Sequence, residues 1–268
     1  MDSMRLVNEI QGFLDGLIGK SENTKILYRT ALKEFLEYAE AKKKLDPIGF
    51  LNTLEGRGLA KNTVRVYAVV LKAFFKSIKR LDITEKIPNV RQAETIPVPL
   101  AGENLEKMMA VASPRNRLVL SLFISTGMRL SELLGINVED IDFAESTIRI
   151  RGKGDRVRII LTDQRTLQLL KEYLQGRTSG RVIDLSPSMV RHIFKEMARK
   201  AGLPNWEKMH PHLARHTFCI NWVKAGGDIE SLRRLTGHRS LESVKWYLNF
   251  SFSDVKDVYR RVRGETLV

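Results

Sequence analysis

The sequence predicts a mainly α-helical protein with one small β-element (an α+β arrangement) in two domains, and three observations carry that prediction. Apolar residues recur at helical spacing over most of the 268 residues. The period falls to two only across 147–162. A stretch with three prolines and little periodicity, 82–100, separates a helical first third from the rest.

In chain order, VNEIQGFLDGLI (7–18) has helical apolar spacing. SENTKILYRTALKEFLEYAEAKK (21–43) repeats it over a longer run behind a Ser/Asn/Thr capping region. Pro47 stands near the start of a short helix through LNTLEG, which Gly56 and Gly58 end. AKNTVRVYAVVLKAFFKSIKRL is read as one helix over 60–81, with six basic and no acidic residues. The expected layout is a helical domain over 1–90, a linker over 91–100 and a larger domain over 101–268. In the latter, 104–112 and 115–125 read as helices, the second buried and stopped by Gly127. STIRIRGKGDRVRIILT then alternates: Ile148 and Ile150 between arginines, and Val157, Ile159 and Leu161 after a turn at 152–155. The spacing predicts a two-strand hairpin. Helices return from Asp163, and the last is SDVKDVYRRV.

Composition narrows the function. The chain has 45 Lys and Arg against 31 Asp and Glu, a formal net charge of +14. Such an excess points to a polyanionic partner, nucleic acid above all. Lys61, Arg65, Lys72 and Lys76 on the basic helix, with Arg149 and Arg151 on the first hairpin strand, are candidate contacts to a phosphate backbone. The single cysteine, Cys219, excludes an intramolecular disulfide and multi-cysteine zinc motifs. No run approaches eighteen apolar residues, and the N-terminus lacks the apolar core of a signal peptide. A cytoplasmic, nucleoid-associated protein without a membrane partner is expected.

HPHLARHTF (210–218) holds three of the five histidines. His212 and His216 share a helix face, a spacing that zinc sites use, but Leu213 stands where a zinc peptidase has Glu, and Arg215 projects onto nearly the same face. Packed or surface histidines are the plain alternative. GKS at 19–21 lacks the glycine of a phosphate-binding loop and follows a helix, so it is set aside. Elsewhere, Arg129 in STGMRLSELLGI follows a glycine turn and could simply pair with Glu132. Lys153 tips the hairpin, His238 ends LTGH, and Tyr247 lies in ESVKWYLNF, where an aromatic is commonly core.

Taken together and in this order, Arg129, Lys153, His212, Arg215, His238 and Tyr247 resemble the catalytic set of the tyrosine recombinases, the phage integrase family. The resemblance covers essentially the whole chain, and its compact size is most similar to the Xer recombinases, archaeal ones among them. Two departures are Thr236, where leucine is usual before Gly-His, and Trp246 before the tyrosine. The resemblance implies a two-domain DNA clamp whose 1–90 domain binds the core site. It implies a nucleophile, Tyr247, that forms a 3′-phosphotyrosine intermediate before strands are exchanged and rejoined between two sites, without metal or cofactor. Arg129 and Arg215 would hold the non-bridging oxygens and Lys153 would protonate the leaving 5′-oxygen. His212 would help manage the nucleophile's proton, and His238 would donate to the phosphate. His210 and His216 are expected to support the helix. A C-terminal helix over 252–263, carrying the rival Tyr259, would link protomers into a tetramer on two DNA sites. Chromosome dimer resolution is the expected role. Integration or excision of a mobile element, and a catalytically silent DNA-binding protein, are the alternatives. Nothing in the sequence identifies an accessory protein.

Overall fold

The computed structural model describes residues 3–90, 99–152 and 157–250, and the chain divides into two compact units, Met1–Ile96 and Pro97–Val268. The first contains α1 (Ser3–Asp15), α2 (Glu22–Lys42), α3 (Pro47–Gly56), α4 (Lys61–Ser77) and the short α5 (Leu81–Thr84). Local chemistry sets the starts. Ser21 Oγ accepts the Thr24 N–H at 3.3 Å to cap α2. Asp46 Oδ1 accepts the Gly49 N–H at 2.9 Å to cap α3, with Pro47 in its first turn. The core centres on Phe35, Phe50, Phe74 and Phe75, all buried. Phe35 meets Phe50 and Phe75 edge-on, with ring centroids 5.5 and 5.7 Å apart.

The α4 helix is shorter than its periodicity suggests. It stops at Ser77, not at residue 81, because Lys79 turns left-handed (φ 58°) and the Arg80 N–H reaches back to Phe75 O at 2.9 Å. The basic residues of α4 still share a face: Lys61, Arg65, Lys72 and Lys76 fall within an arc of about 60° at 3.6 residues per turn. The rest of the helix surface buries Val64, Tyr67, Leu71, Phe74 and Phe75. Ile83 and Ile87 are buried in the same core, so the proline-containing stretch begins as part of the first unit. Residues 91–98 of the expected linker lie outside the described residues. Leu100, its expected end, is buried in the second unit, where its N–H donates to Thr217 Oγ1 at 2.9 Å.

The second unit runs through α6 (Gly102–Val111), α7 (Pro114–Thr126), α8 (Leu130–Leu133) and a three-stranded antiparallel sheet, β1 (Ile141–Asp142), β2 (Thr147–Arg151) and β3 (Val157–Leu161), in that spatial order. It continues with α9 (Gln164–Leu174), α10 (Pro187–Lys200), α11 (Pro211–Lys224), α12 (Ile229–Thr236), α13 (Glu242–Lys245) and a 3-10 turn, Trp246–Phe250. Helix α7 is buried on most of its surface and packs against α9 and α11. The expected final helix, 252–263, and Tyr259 lie outside the described residues.

The hairpin forms, and its two strands differ in which residues they bury. On β2, Ile148 and Ile150 are buried and Arg149 and Arg151 exposed, as the alternation predicts. On β3 the pattern is reversed: Ile160 is buried, Arg158 points inward, and Val157, Ile159 and Leu161 are exposed. The register pairs Ile150 with Arg158 and Arg149 with Ile159. Because side chains alternate faces, drawing Arg158 inward places its apolar neighbours outward.

Candidate active site

The segments that carry the candidate residues are held by two left-handed glycines. Gly127 (φ 62°) ends α7, and Gly237 (φ 65°) ends α12. A side chain at Gly127 would collide with Phe218, so the position needs both the conformation and the space that glycine provides. Arg129 then takes the N-cap position of α8, its own N–H donating to Glu132 Oε2 at 2.7 Å.

Arg129 is partly exposed. Its Nη1 donates to Glu132 Oε1 at 2.9 Å and its Nη2 to Gly237 O at 2.8 Å. The ion pair that serves as its plain alternative in the sequence is therefore real, and it aims the guanidinium at the second glycine turn. Arg215 is only 4% exposed. Its Nη1 donates to Gly127 O at 2.6 Å and its Nη2 to Thr236 O at 2.8 Å, tying together the ends of α7 and α12. Burial lowers its basicity to about 10, with the neighbouring Arg129 acting in the same direction, which still leaves it charged at neutral pH.

His238 faces both arginines. Arg215 Nη2 lies 3.3 Å from His238 Nε2, and His238 Nδ1 lies 2.5 Å from Thr236 Oγ1. Burial first, then the positive charge of Arg215 and Arg129, lowers the imidazole to about 3, so it is neutral as found. His212 is exposed, and desolvation with the neighbouring His210, Arg215 and Arg129 lowers it too. His210 caps α11, its Nδ1 accepting the Leu213 N–H at 3.2 Å.

Tyr247 is 1% exposed and packs with Cys219, Ile220, Val223, Leu232 and Val244. Its Oη lies 2.7 Å from His216 Nδ1, and its ring centroid 6.4 Å from that of His238. Burial, with the adjacent Cys219 thiol, pushes the phenol above its ordinary value. Burial also lowers His216, to about 4, so the imidazole that meets the tyrosine hydroxyl is neutral. His216, expected from the sequence to be a packing residue, is thus the histidine that touches the tyrosine hydroxyl.

Sequence reasoning placed Glu132 only as a possible partner of Arg129 and missed Arg158. Arg158 donates Nη1 and Nη2 to Glu132 Oε1 and Oε2 at 2.7 and 2.8 Å, and its Nε to Leu235 O at 3.0 Å. Glu132 is 2% exposed. Burial pushes its carboxyl up, but the bonds from Arg158 and Arg129 outweigh this and hold it at about 2. Nothing in the alternation of β3 marks Arg158, because Val157, Ile159 and Leu161 point to the other face as the apolar one.

Arg129, Glu132, Arg158, Arg233, Gly237 and His238 line a cavity of about 800 Å³. Lys153 lies outside the described residues, but Gly152 and Val157, the described residues on either side of its turn, line the same cavity. Of the candidate DNA contacts, Lys61 and Lys76 are exposed, and Arg65 is half-buried. Lys72 donates to Asn89 Oδ1 at 2.5 Å. Arg151 is exposed, while Arg149 is paired with Asp140 at 3.0 Å. Among the described residues no group of three or more His, Cys, Asp or Glu could hold a metal ion, and no helix is long and apolar enough to cross a membrane.

Three comparisons with known proteins agree. The phage integrase family model matches residues 99–253. The chain is 32% identical to tyrosine recombinase XerA of Pyrococcus furiosus over 271 residues, 96% of this chain and 93% of that protein. It is 29% identical to tyrosine recombinase XerC of Thermodesulfovibrio yellowstonii, covering 90% of each. Among solved structures it shares its fold with XerA recombinase (TM-score 0.55, 23% identity, 98% and 99% of the two chains). It also shares the fold of XerH recombinase in a post-cleavage complex with palindromic difH substrate (TM-score 0.74, 24% identity, 88% and 79%).

Proposed function

The chain belongs to the phage integrase family, the tyrosine recombinases, and on that premise we propose that it cleaves duplex DNA at a specific site through Tyr247 and rejoins strands between two such sites. The observation that carries the reading is the convergence of Arg129, Arg215 and His238, from three separate elements, beside one cavity. Arg215 Nη2 lies 3.3 Å from His238 Nε2, and Tyr247 adjoins the same imidazole.

In this reading Tyr247 Oη attacks phosphorus, the Oη–P bond forms and the P–O5′ bond breaks, leaving a 3′-phosphotyrosine and a free 5′-hydroxyl. Charge grows on the non-bridging oxygens. Each guanidinium has five N–H donors, and the protein acceptors described here use only some of them, so Arg129 and Arg215 keep donors for those oxygens. Held by backbone carbonyls and Glu132, they are oriented before substrate arrives. Neutral His216 is in place to receive the tyrosine proton, with exposed His212 available to a bound phosphate. Lys153 protonates the leaving oxygen, a role supported by the cavity lining on both sides of its turn. Because the Tyr247 hydroxyl is buried, attack follows a shift of the 242–250 segment toward the cavity. No metal enters this scheme, since the arginines and lysine supply the positive charge.

The helical first unit grips the duplex with the basic face of α4. Protomers assemble as a tetramer on two sites through residues 252–263, in a cytoplasmic, nucleoid-associated protein. Likeness over nearly the full length of XerA and XerC relatives favours chromosome dimer resolution over integration of a mobile element. The test is covalent trapping with end-labelled duplexes that span candidate sites. Wild-type protein gives a detergent-stable adduct in the presence of chelator, and Tyr247→Phe gives none. DNA binding without any adduct across those sites would support the catalytically silent reading instead.

A further inference from the structure

Thr236 precedes the glycine turn that presents His238, at a position where the family resemblance leads one to expect leucine. The side chain is completely buried, where a hydroxyl needs partners for both its proton and its lone pairs. Its Oγ1 donates to Leu232 O at 2.5 Å, one helical turn back in α12. With that proton committed, the hydroxyl faces His238 Nδ1, 2.5 Å away, as an acceptor. The Nδ1 must then carry a hydrogen. His238 is neutral, so its other nitrogen, Nε2, carries none, and its lone pair faces Arg215 Nη2 at 3.3 Å, a donor in every state. The hydrogen-bond chain Leu232 O, Thr236 Oγ1, His238 Nδ1, His238 Nε2, Arg215 is therefore consistent in one direction only. The same residue's carbonyl receives Arg215 Nη2 at 2.8 Å.

We propose that Thr236 is a positioning residue for strand cleavage: its hydroxyl fixes His238 as the Nδ1–H tautomer and so keeps the Nε2 lone pair at the phosphate site. The inference rests on the function proposed above, and it alters one detail of what the family resemblance implies. His238 does not meet the phosphate as a ready neutral donor. It contacts a non-bridging oxygen as a donor only after Nε2 gains a proton, which the arriving phosphate's negative charge favours. A leucine at this position would leave Nδ1 without the side-chain acceptor and the tautomer free.

The test compares Thr236→Val, which keeps the shape and removes the hydroxyl, with Thr236→Ser, which keeps the hydroxyl. Imidazole nitrogen NMR on DNA-free protein reads the tautomer directly. Wild type and Thr236→Ser should show His238 protonated at Nδ1, and Thr236→Val should show the Nε2–H form appearing. In single-turnover cleavage, Thr236→Val should be slower by about 10- to 100-fold, the range found when an orienting partner behind a ligating imidazole is lost. DNA affinity should be unchanged, and Thr236→Ser should stay near the wild-type rate. Thermal melts establish that each variant is folded. The proposal is overturned if His238 is protonated at Nε2 in wild type, if Thr236→Val keeps both tautomer and rate, or if Thr236→Ser is as slow as Thr236→Val. Failure of wild type to cleave any DNA would instead count against the proposed function, while the tautomer measurement would still stand or fall alone.

Discussion

Arg158 grips Glu132 with both of its terminal nitrogens, at 2.7 and 2.8 Å, across 26 residues of sequence. The same carboxylate receives the Arg129 backbone N–H and side chain. One buried anion thus joins β3 to the residue that aims at the second glycine turn. Removing it in Glu132→Ala leaves the half-buried Arg158 without its counter-charge, a loss of up to about 3 kcal/mol, the lower end for a broken buried pair. Chemical denaturation should show that loss, and cleavage should fall with it as Arg129 loses its orientation. The pH dependence has a defined sign. With its carboxyl held at about 2 against an ordinary 4.5, Glu132 contributes fully above pH 4.5, and the contribution is lost as pH falls through about 2.

A second prediction concerns Gly127, whose carbonyl accepts Arg215 Nη1 at 2.6 Å. Gly127→Ala puts a Cβ into left-handed backbone, at about 1–2 kcal/mol, and into Phe218. The melting temperature and the cleavage rate should both drop. Adding Phe218→Leu should recover part of the melting temperature by relieving the collision, leaving the backbone cost behind.

The depressed histidines predict acid sensitivity above the carboxylate range. His216 at about 4 and His238 at about 3 bind protons more weakly in the folded chain than the ordinary 6.5. Unfolding therefore takes up protons below pH 6.5. Their contribution is present in full above that pH and is lost as pH falls toward 4 and then 3. Melting temperature against pH should decline through this window, and His216→Phe should flatten its upper part.

The basic face of α4 predicts a salt effect. If Lys61 and Lys76 each neutralise one phosphate, each Lys→Gln change should reduce the slope of log affinity against log salt concentration by about 0.9. Lys33→Gln, an exposed lysine on α2 paired with Glu37 at 4.0 Å, should leave the slope as it was.

Much of this was legible in the sequence because it depended on local chemistry. Gly127 and Gly237 stop their helices where left-handed backbone was needed, and the histidine-rich stretch and the glycine turns place Arg129, Arg215 and His238 in recognisable surroundings. What escaped was set by tertiary pairing. The alternation of β3 gives no sign that Arg158 should point inward, since its reason, Glu132, lies 26 residues away. His216 reads as one more helix histidine until Tyr247, 31 residues later, packs against it. The end of α4 was misjudged because Lys79 adopts a left-handed conformation that glycine usually marks. Thr236 stood out only as a departure from the family pattern, and its hydroxyl gained a meaning once Leu232 O and His238 Nδ1 were found on either side.

The most direct test of the central claim is to identify the residue that carries the DNA. The covalent adduct formed on an end-labelled target duplex is digested with protease and nuclease, and the modified peptide is sequenced by mass spectrometry. The account predicts a nucleotide joined through its 3′-phosphate to Tyr247 in the peptide spanning 242–250. A nucleotide on Tyr259, or one joined through a 5′-phosphate, would contradict it.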